Sequence, residues 1–354
     1  TLKLQRGAFR LCCHALNRHE MKQTKFLSTA LAAILAALFA VSCNKPPTQQ
    51  QKDMMKVAAQ PRTEIDKLKA AVKAEAENLK KGQTNELLEA TVKLAKIYEN
   101  GSEELDVAVD FYLAGLLYKR AATNGNAFAQ NRIGRLYEVG DSTTITRNLS
   151  RSAHWYRMAA DQGYRDAETN LGYLYEKGSG VPRDYIEAGK WYLKAAEKGE
   201  PVAQYRLGLL YELGKGVSRN DSDASKWILL AAENGYDVAQ FKAATMYFDG
   251  QGVEKDLVEA MRWYESAARQ GHIKAQTRIG LLYFSGKGVA KDNVEAYKWL
   301  NIAAATEDPE AGRHREMVAE SMTPEKIRFA QERAAEFTVE IVQLDAARPS
   351  DDLE

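Results

Sequence analysis

Apolar residues in the middle of this chain return at spacings of three and four. Ala167, Leu171, Leu174 and Tyr175 stand at i, i+4, i+7 and i+8, and Ala188, Trp191, Tyr192, Ala195 and Ala196 at i, i+3, i+4, i+7 and i+8. Such a stripe covers one face of a 3.6-residue helix, whereas a strand would alternate. Between the two stripes lie Gly178, Gly180, Val181 and Asp184. The first glycine suits a left-handed helix C-cap, and the second lets the chain turn sharply. Asp184 can cap the following helix by accepting a backbone N–H. The pattern predicts a short helix, a glycine loop and a second short helix.

The same unit then repeats. Trp155, Trp191, Trp227, Trp263 and Trp299 are each 36 residues apart. Each is followed at the fourth and fifth positions by an Ala-Ala pair, from Ala159-Ala160 to Ala303-Ala304. A Leu-Gly-x-Leu-Tyr motif keeps the same beat. It places Gly134, Gly172, Gly208 and Gly280, with Ala244 in the remaining copy, and Tyr137, Tyr175, Tyr211, Tyr247 and Tyr283. A period of 20–50 residues marks a solenoid, in which each unit buries its apolar face only against its neighbours. The indoles and tyrosines lie on the same face as the small residues that seat the next helix, so they read as core, the tyrosines with a polar tip. A small residue recurring inside one helix indicates that another helix passes close by. The glycine loops are not phosphate cradles, because a helix rather than a strand precedes every copy.

Over residues 164–299 these motifs closely resemble the Sel1-like repeat, a relative of the tetratricopeptide repeat with a longer inter-helix loop. The resemblance extends over residues 84–340 in seven units: 85–125, 126–163, 164–199, 200–235, 236–271, 272–307 and 308–340. The outer units depart from the consensus, as terminal repeats facing water should. The family implies an all-α, right-handed α-solenoid with the first helix of each pair on the inner wall. That wall would suit a peptide or protein segment. Arg132, Asn170, Arg206, Lys242 and Arg278 share one phase of the repeat and, with Tyr173 and Leu209, are the candidate contact residues. They make a polar, mostly basic row that would bind an acidic or extended partner by charge-assisted hydrogen bonds. Read without the family, the same row is an ordinary solvated face.

Charge and composition narrow the chemistry. Lys+Arg number 49 and Asp+Glu 48, a formal charge of +1, which gives no support to nucleic-acid binding. Cysteines occur at positions 12, 13 and 43, and the histidines form no short-spaced pair in the repeat region. No disulfide framework, metal or cofactor site is therefore expected, and no acid–base or nucleophile–base pair recommends an enzyme.

The amino-terminal region reads as a targeting segment. After Met21, Lys22 and Lys25 precede an Ala/Leu-rich stretch ending at Ala40-Val41-Ser42-Cys43, the layout of an export signal over 21–42. The last four residues resemble the lipobox of bacterial lipoproteins, which implies lipidation of Cys43. Asn44 after it favours, by resemblance to enterobacterial lipoproteins, the outer membrane. Residues 1–20 read as an upstream extension ahead of Met21, or as a long basic leader. Residues 43–60 are a polar tether. Residues 61–83 are either a leading helix against the array or a solvated spacer, and residues 341–354 are an acidic tail. The sequence thus points to a non-catalytic interaction scaffold, lipid-anchored in the cell envelope and facing the periplasm. Its partner would be another protein or peptide. A polysaccharide-export complex is one setting. The alternatives are a secreted or surface-exposed host-interaction factor and a peptidoglycan-associated structural lipoprotein.

Overall fold

The computed structural model describes residues 85–102, 107–140, 145–306 and 308–347. The export segment with Cys43, the possible leading helix and the last residues of the tail lie outside them. The described residues form fourteen helices. In chain order these are α1 (Asn85–Asn100), α2 (Phe111–Thr123), α3 (Ala127–Val139), α4 (Leu149–Ala160), α5 (Arg165–Lys177), α6 (Tyr185–Glu197) and α7 (Pro201–Leu213). They continue with α8 (Asp221–Glu233), α9 (Asp237–Asp249), α10 (Leu257–Arg269), α11 (Ile273–Ser285), α12 (Asn293–Ala304), α13 (Pro309–Ala319) and α14 (Pro324–Ala347). The chain divides into two compact units: one runs to Leu136 with 141–146, the other takes 137–140 and everything from Arg147.

In the first unit α1 packs on α2 around Leu94, Ala95, Tyr118, Ala121 and Ala122, all buried. In the second unit α5/α6, α7/α8, α9/α10 and α11/α12 are antiparallel pairs, and the second helix of each pair packs on the first helix of the next. The loops are built as the glycine pattern requires. Gly178, Gly214, Gly250 and Gly286 close their helices in the left-handed conformation. Asp184, Asn220, Asp256 and Asp292 each accept two backbone N–H bonds at the start of the following helix. The second glycine has positive φ and no room for a side chain. A Cβ at Gly216 would sit 2.3 Å from the Tyr185 carbonyl carbon of the preceding repeat.

The small residue inside each first helix is a seat for its partner helix. A Cβ on Gly172 would lie 2.8 Å from the Tyr192 ring, on Gly208 2.7 Å from Ile228, and on Gly280 2.6 Å from Leu300. Trp191, Trp263 and Trp299 are buried, while Trp155 and Trp227 are half-buried. The end of the array departs from the hairpin frame. Helix α14 packs along α12, where Phe337 meets the Trp299 ring edge-on at 4.9 Å and Ala330 and Ala334 are buried. It continues to Ala347, past the end expected for the last repeat.

A second, polar periodicity joins the helices. Gln130, Gln204, Gln240 and Gln276 are buried, and each Nε2 donates to a helix carbonyl eight residues back, at 3.0–3.2 Å. Asn234 and Gln270 in turn donate to Gln204 and Gln240 at 2.9 and 2.8 Å. The third repeat has Glu168 in the glutamine place. Its Oε1 accepts from Lys198 Nζ at 2.6 Å, but its buried Oε2 has no partner, and an ionised carboxylate cannot donate to a carbonyl. Glu168→Gln restores the missing donor while still accepting from Lys198. We expect it to raise the stability of the folded chain by about 1 kcal/mol, read as a higher urea midpoint with unchanged slope. A lower midpoint would show that the Lys198 pair outweighs the unsatisfied oxygen.

Candidate functional site

The candidate row falls on the first helices of successive repeats, and its members differ in what they touch. In the first unit Arg132 pairs with Glu99, which also accepts from Tyr118 Oη at 2.7 Å. In the second unit Tyr156 Oη donates to Glu138 at 2.7 Å, and Tyr192 Oη to Glu176 at 2.8 Å. Arg206 reaches back one repeat to the same Glu176 at 3.3 Å, and Lys242 reaches back to Glu212 at 2.7 Å. Asn170 stands in the row half-buried. The row is therefore not a free cationic strip. Its arginines and its lysine up to Lys242 are half-buried cations, each held by a glutamate at the carboxyl end of the preceding first helix.

These glutamates were missed in the sequence, although a signal is there. Each follows the motif tyrosine, as Tyr98-Glu99, Tyr137-Glu138, Tyr175-Glu176 and Tyr211-Glu212. In the next two repeats the same place holds Phe248 and Phe284. Arg278 consequently has no carboxylate behind it. It is exposed, with its guanidinium 5.8 Å from the Phe248 ring centre. Of the other candidates, Tyr173 is half-buried under the Arg206 guanidinium at 4.9 Å, and Leu209 is half-buried. Tyr175 accepts from Arg157, and the motif tyrosines are half-buried throughout.

Around Arg278 the first helices α9 and α11, with the start of α13, enclose a groove of about 360 Å³. Phe241, Ile273 and Leu281 supply its apolar lining, and Lys274, Arg278, Asp308 and Glu310 its charges. The Phe241 ring is stacked on His272 at 4.6 Å, which fixes one wall. The His272 imidazole caps α11 by accepting from the Ala275 N–H at 3.2 Å. Burial holds it below the usual histidine range, against a weaker pull from Asp237. Among the described residues no group of three or more His, Cys, Asp or Glu is placed to hold a metal ion.

The tyrosine–glutamate ties have a pH signature. The Tyr192 hydroxyl is held above its ordinary range, first by burial and then by the Glu176 charge. In the unfolded chain it ionises near pH ~10, so the unfolded state releases its proton first. Stability is then fully present below that pH and falls as pH rises above it. We expect the melting temperature of the parent to fall more steeply between about pH 9.5 and 11.5 than that of Tyr192→Phe. At pH 7 the variant should lose about 1 kcal/mol, the worth of the lost hydrogen bond. Parallel alkaline profiles would refute the assignment.

The comparisons with known proteins bear on the whole array. The Sel1 repeat family model matches residues 88–126, 127–164, 165–200, 201–236, 237–272 and 273–305. A Sel1 repeat protein of Oxalobacter formigenes has a solved structure similar to this one, with a TM-score of 0.61 and 26% identity over 84% of this chain and 78% of that one. Among curated proteins, sel-1 homolog 2 of Mus musculus is 37% identical over 29% of this chain, and chitin synthase regulator SKT5 of Saccharomyces cerevisiae is 35% identical over 26%. The matched stretch spans 14% and 13% of those two proteins. With its tandem helix pairs and six matched repeats, the chain belongs to the Sel1 repeat family and is an all-α solenoid of that type.

Proposed function

We propose that this protein is a non-catalytic scaffold that binds an extended protein segment on its first-helix wall, centred on the groove at Arg278. Sel1 repeat proteins serve generally as protein-interaction scaffolds, and the observation that supports this placement is the change of partner along the row. Arg132, Arg206 and Lys242 are engaged by glutamates of the chain itself. Arg278 faces Phe248 and the uncharged Tyr264 hydroxyl instead, and borders a largely apolar trough. Phe241, Ile273 and Leu281 offer anchorage for an apolar side chain, and Arg278 offers a bidentate donor to a carboxylate on the same segment.

The sequence features outside the described residues support a lipid anchor at Cys43, carried by a tether from the outer membrane into the periplasm. No helix among the described residues is long and apolar enough to cross a membrane. One acyl chain holds a protein only marginally, so stable attachment needs the several chains of a mature lipoprotein. A polysaccharide-export or peptidoglycan-associated assembly would present suitable partners.

Two measurements test this reading. A photo-crosslinker at Leu281 in the membrane-attached protein should capture a discrete partner. Arg278→Glu should cut the yield at least about tenfold, the worth of a charge-assisted bond, with the melting temperature unchanged. Arg206→Glu is the informative contrast: it sets two carboxylates against each other at Glu176 and should lower stability. Equal yields from the parent and Arg278→Glu would overturn the placement. Separately, Cys43→Ala should move the protein from the membrane to the soluble fraction of a bacterial host. Retention in the membrane would refute the anchor.

A further inference from the structure

The repeats of this chain act as one another's controls, and the fourth keeps the carboxylate but lacks the phenol that pairs with it in the first three. The carboxylate and tyrosine that tie the helices occur as Glu99 with Tyr118, Glu138 with Tyr156 and Glu176 with Tyr192. In the sixth repeat both are replaced together, by Phe284 and Leu300. The fourth repeat keeps Glu212 but has Ile228 where the phenol should stand. The Ile228 side chain still occupies the seat over Gly208, yet it is too short to reach the carboxylate.

A cavity of about 340 Å³ opens at that place, bordered by Glu212, Ile228, Ser225, Met246 and Asp221. Its border is short on one side: Asp221 stands where the third and fifth repeats have Tyr185 and Leu257 and the sixth has Asn293, and Ser225 stands between Gly189 of the third repeat and Met261 of the fifth in size. Its mouth carries the exposed Arg219–Asp221 pair, at 3.0 Å. Glu212 is one-third exposed, and Lys242 takes its Oε1. Glu212 Oε2 accepts no hydrogen bond from any other described residue, in contrast to Glu176, whose Oε2 receives Tyr192 Oη.

We infer that this cavity is a binding site for a phenol, the side chain of a tyrosine on a partner protein, which supplies in trans the hydroxyl that Tyr192 supplies in cis. The ring would fill the space between Ile228 and Met246, and the hydroxyl would donate to Glu212 Oε2. A hydrogen bond to a charged acceptor is worth roughly a tenfold preference over the same ring without the hydroxyl. The site lies on the second-helix side of the fourth repeat and is independent of the groove at Arg278.

The test uses N-acetyl-tyrosinamide and N-acetyl-phenylalaninamide as probes, with the full chain carrying ¹³C-methyl methionine. N-acetyl-tyrosinamide should shift the Met246 methyl signal saturably, at roughly tenfold lower concentration than the phenylalanine analogue. Ile228→Tyr should fill the cavity, abolish the shift and leave the melting temperature at or above that of the parent. Glu212→Gln, which removes only the charge, should reduce the preference for the hydroxyl to about twofold even if the first variant does not fold. Arg278→Glu should leave the titration unchanged, which keeps this site separate from the groove. The inference is overturned if Met246 shows no saturable shift, if the two amides bind alike, or if folded Ile228→Tyr binds as the parent does.

Discussion

The approach of two helix backbones at one small residue governs everything else in the array. At Gly172, Gly208 and Gly280 a single methyl group would collide with the partner helix. Ala95 and Ala244 add a carbon at that place, and both are fully buried. Such closeness costs helix propensity, about 1 kcal/mol for each glycine relative to alanine. The return is contact between long side chains packed at crystalline density. With the seat fixed, the partner helix can turn only so far, and that rotation sets which residues of the first helix face outward.

The polar ties follow from that rotation. A tyrosine held over the small residue points back toward the start of its helix, where the glutamate closing the preceding helix meets its hydroxyl. The same glutamate faces the next first helix, so one carboxylate serves a phenol and a cation from two repeats. Half-buried, charge-assisted bonds of this kind are stronger than exposed ion pairs. They also consume the cations that would otherwise decorate the wall. The wall changes character after Phe248, from cations held by carboxylates to an exposed arginine without one.

The fold was open to reading because its signals are periodic. Five indoles at equal spacing, Ala-Ala pairs and glycine loops each carry little information alone, but their shared beat leaves room for one architecture. The caps at Asp184 and Asp256 and the left-handed glycines follow from local chemistry. The polar ties were not legible in the same way. Glu176 and Arg206 are 30 residues apart, and nothing in either residue's neighbourhood announces the other. The row therefore reads equally well as a solvated face or as a binding strip. The departures from the beat are the better guide to a site. Phe248 and Ile228 break a pattern that the chain itself establishes; Ile228 borders a cavity, and Phe248 faces the arginine of the groove.

Helix α14 breaks the pattern at the other scale. A stack of identical units has no natural last member, since each ends in the surface that the next would cover. By laying Phe337 against the Trp299 indole, α14 occupies part of that surface. The last indole of the array is thereby sheltered by a helix that stands outside the 36-residue beat.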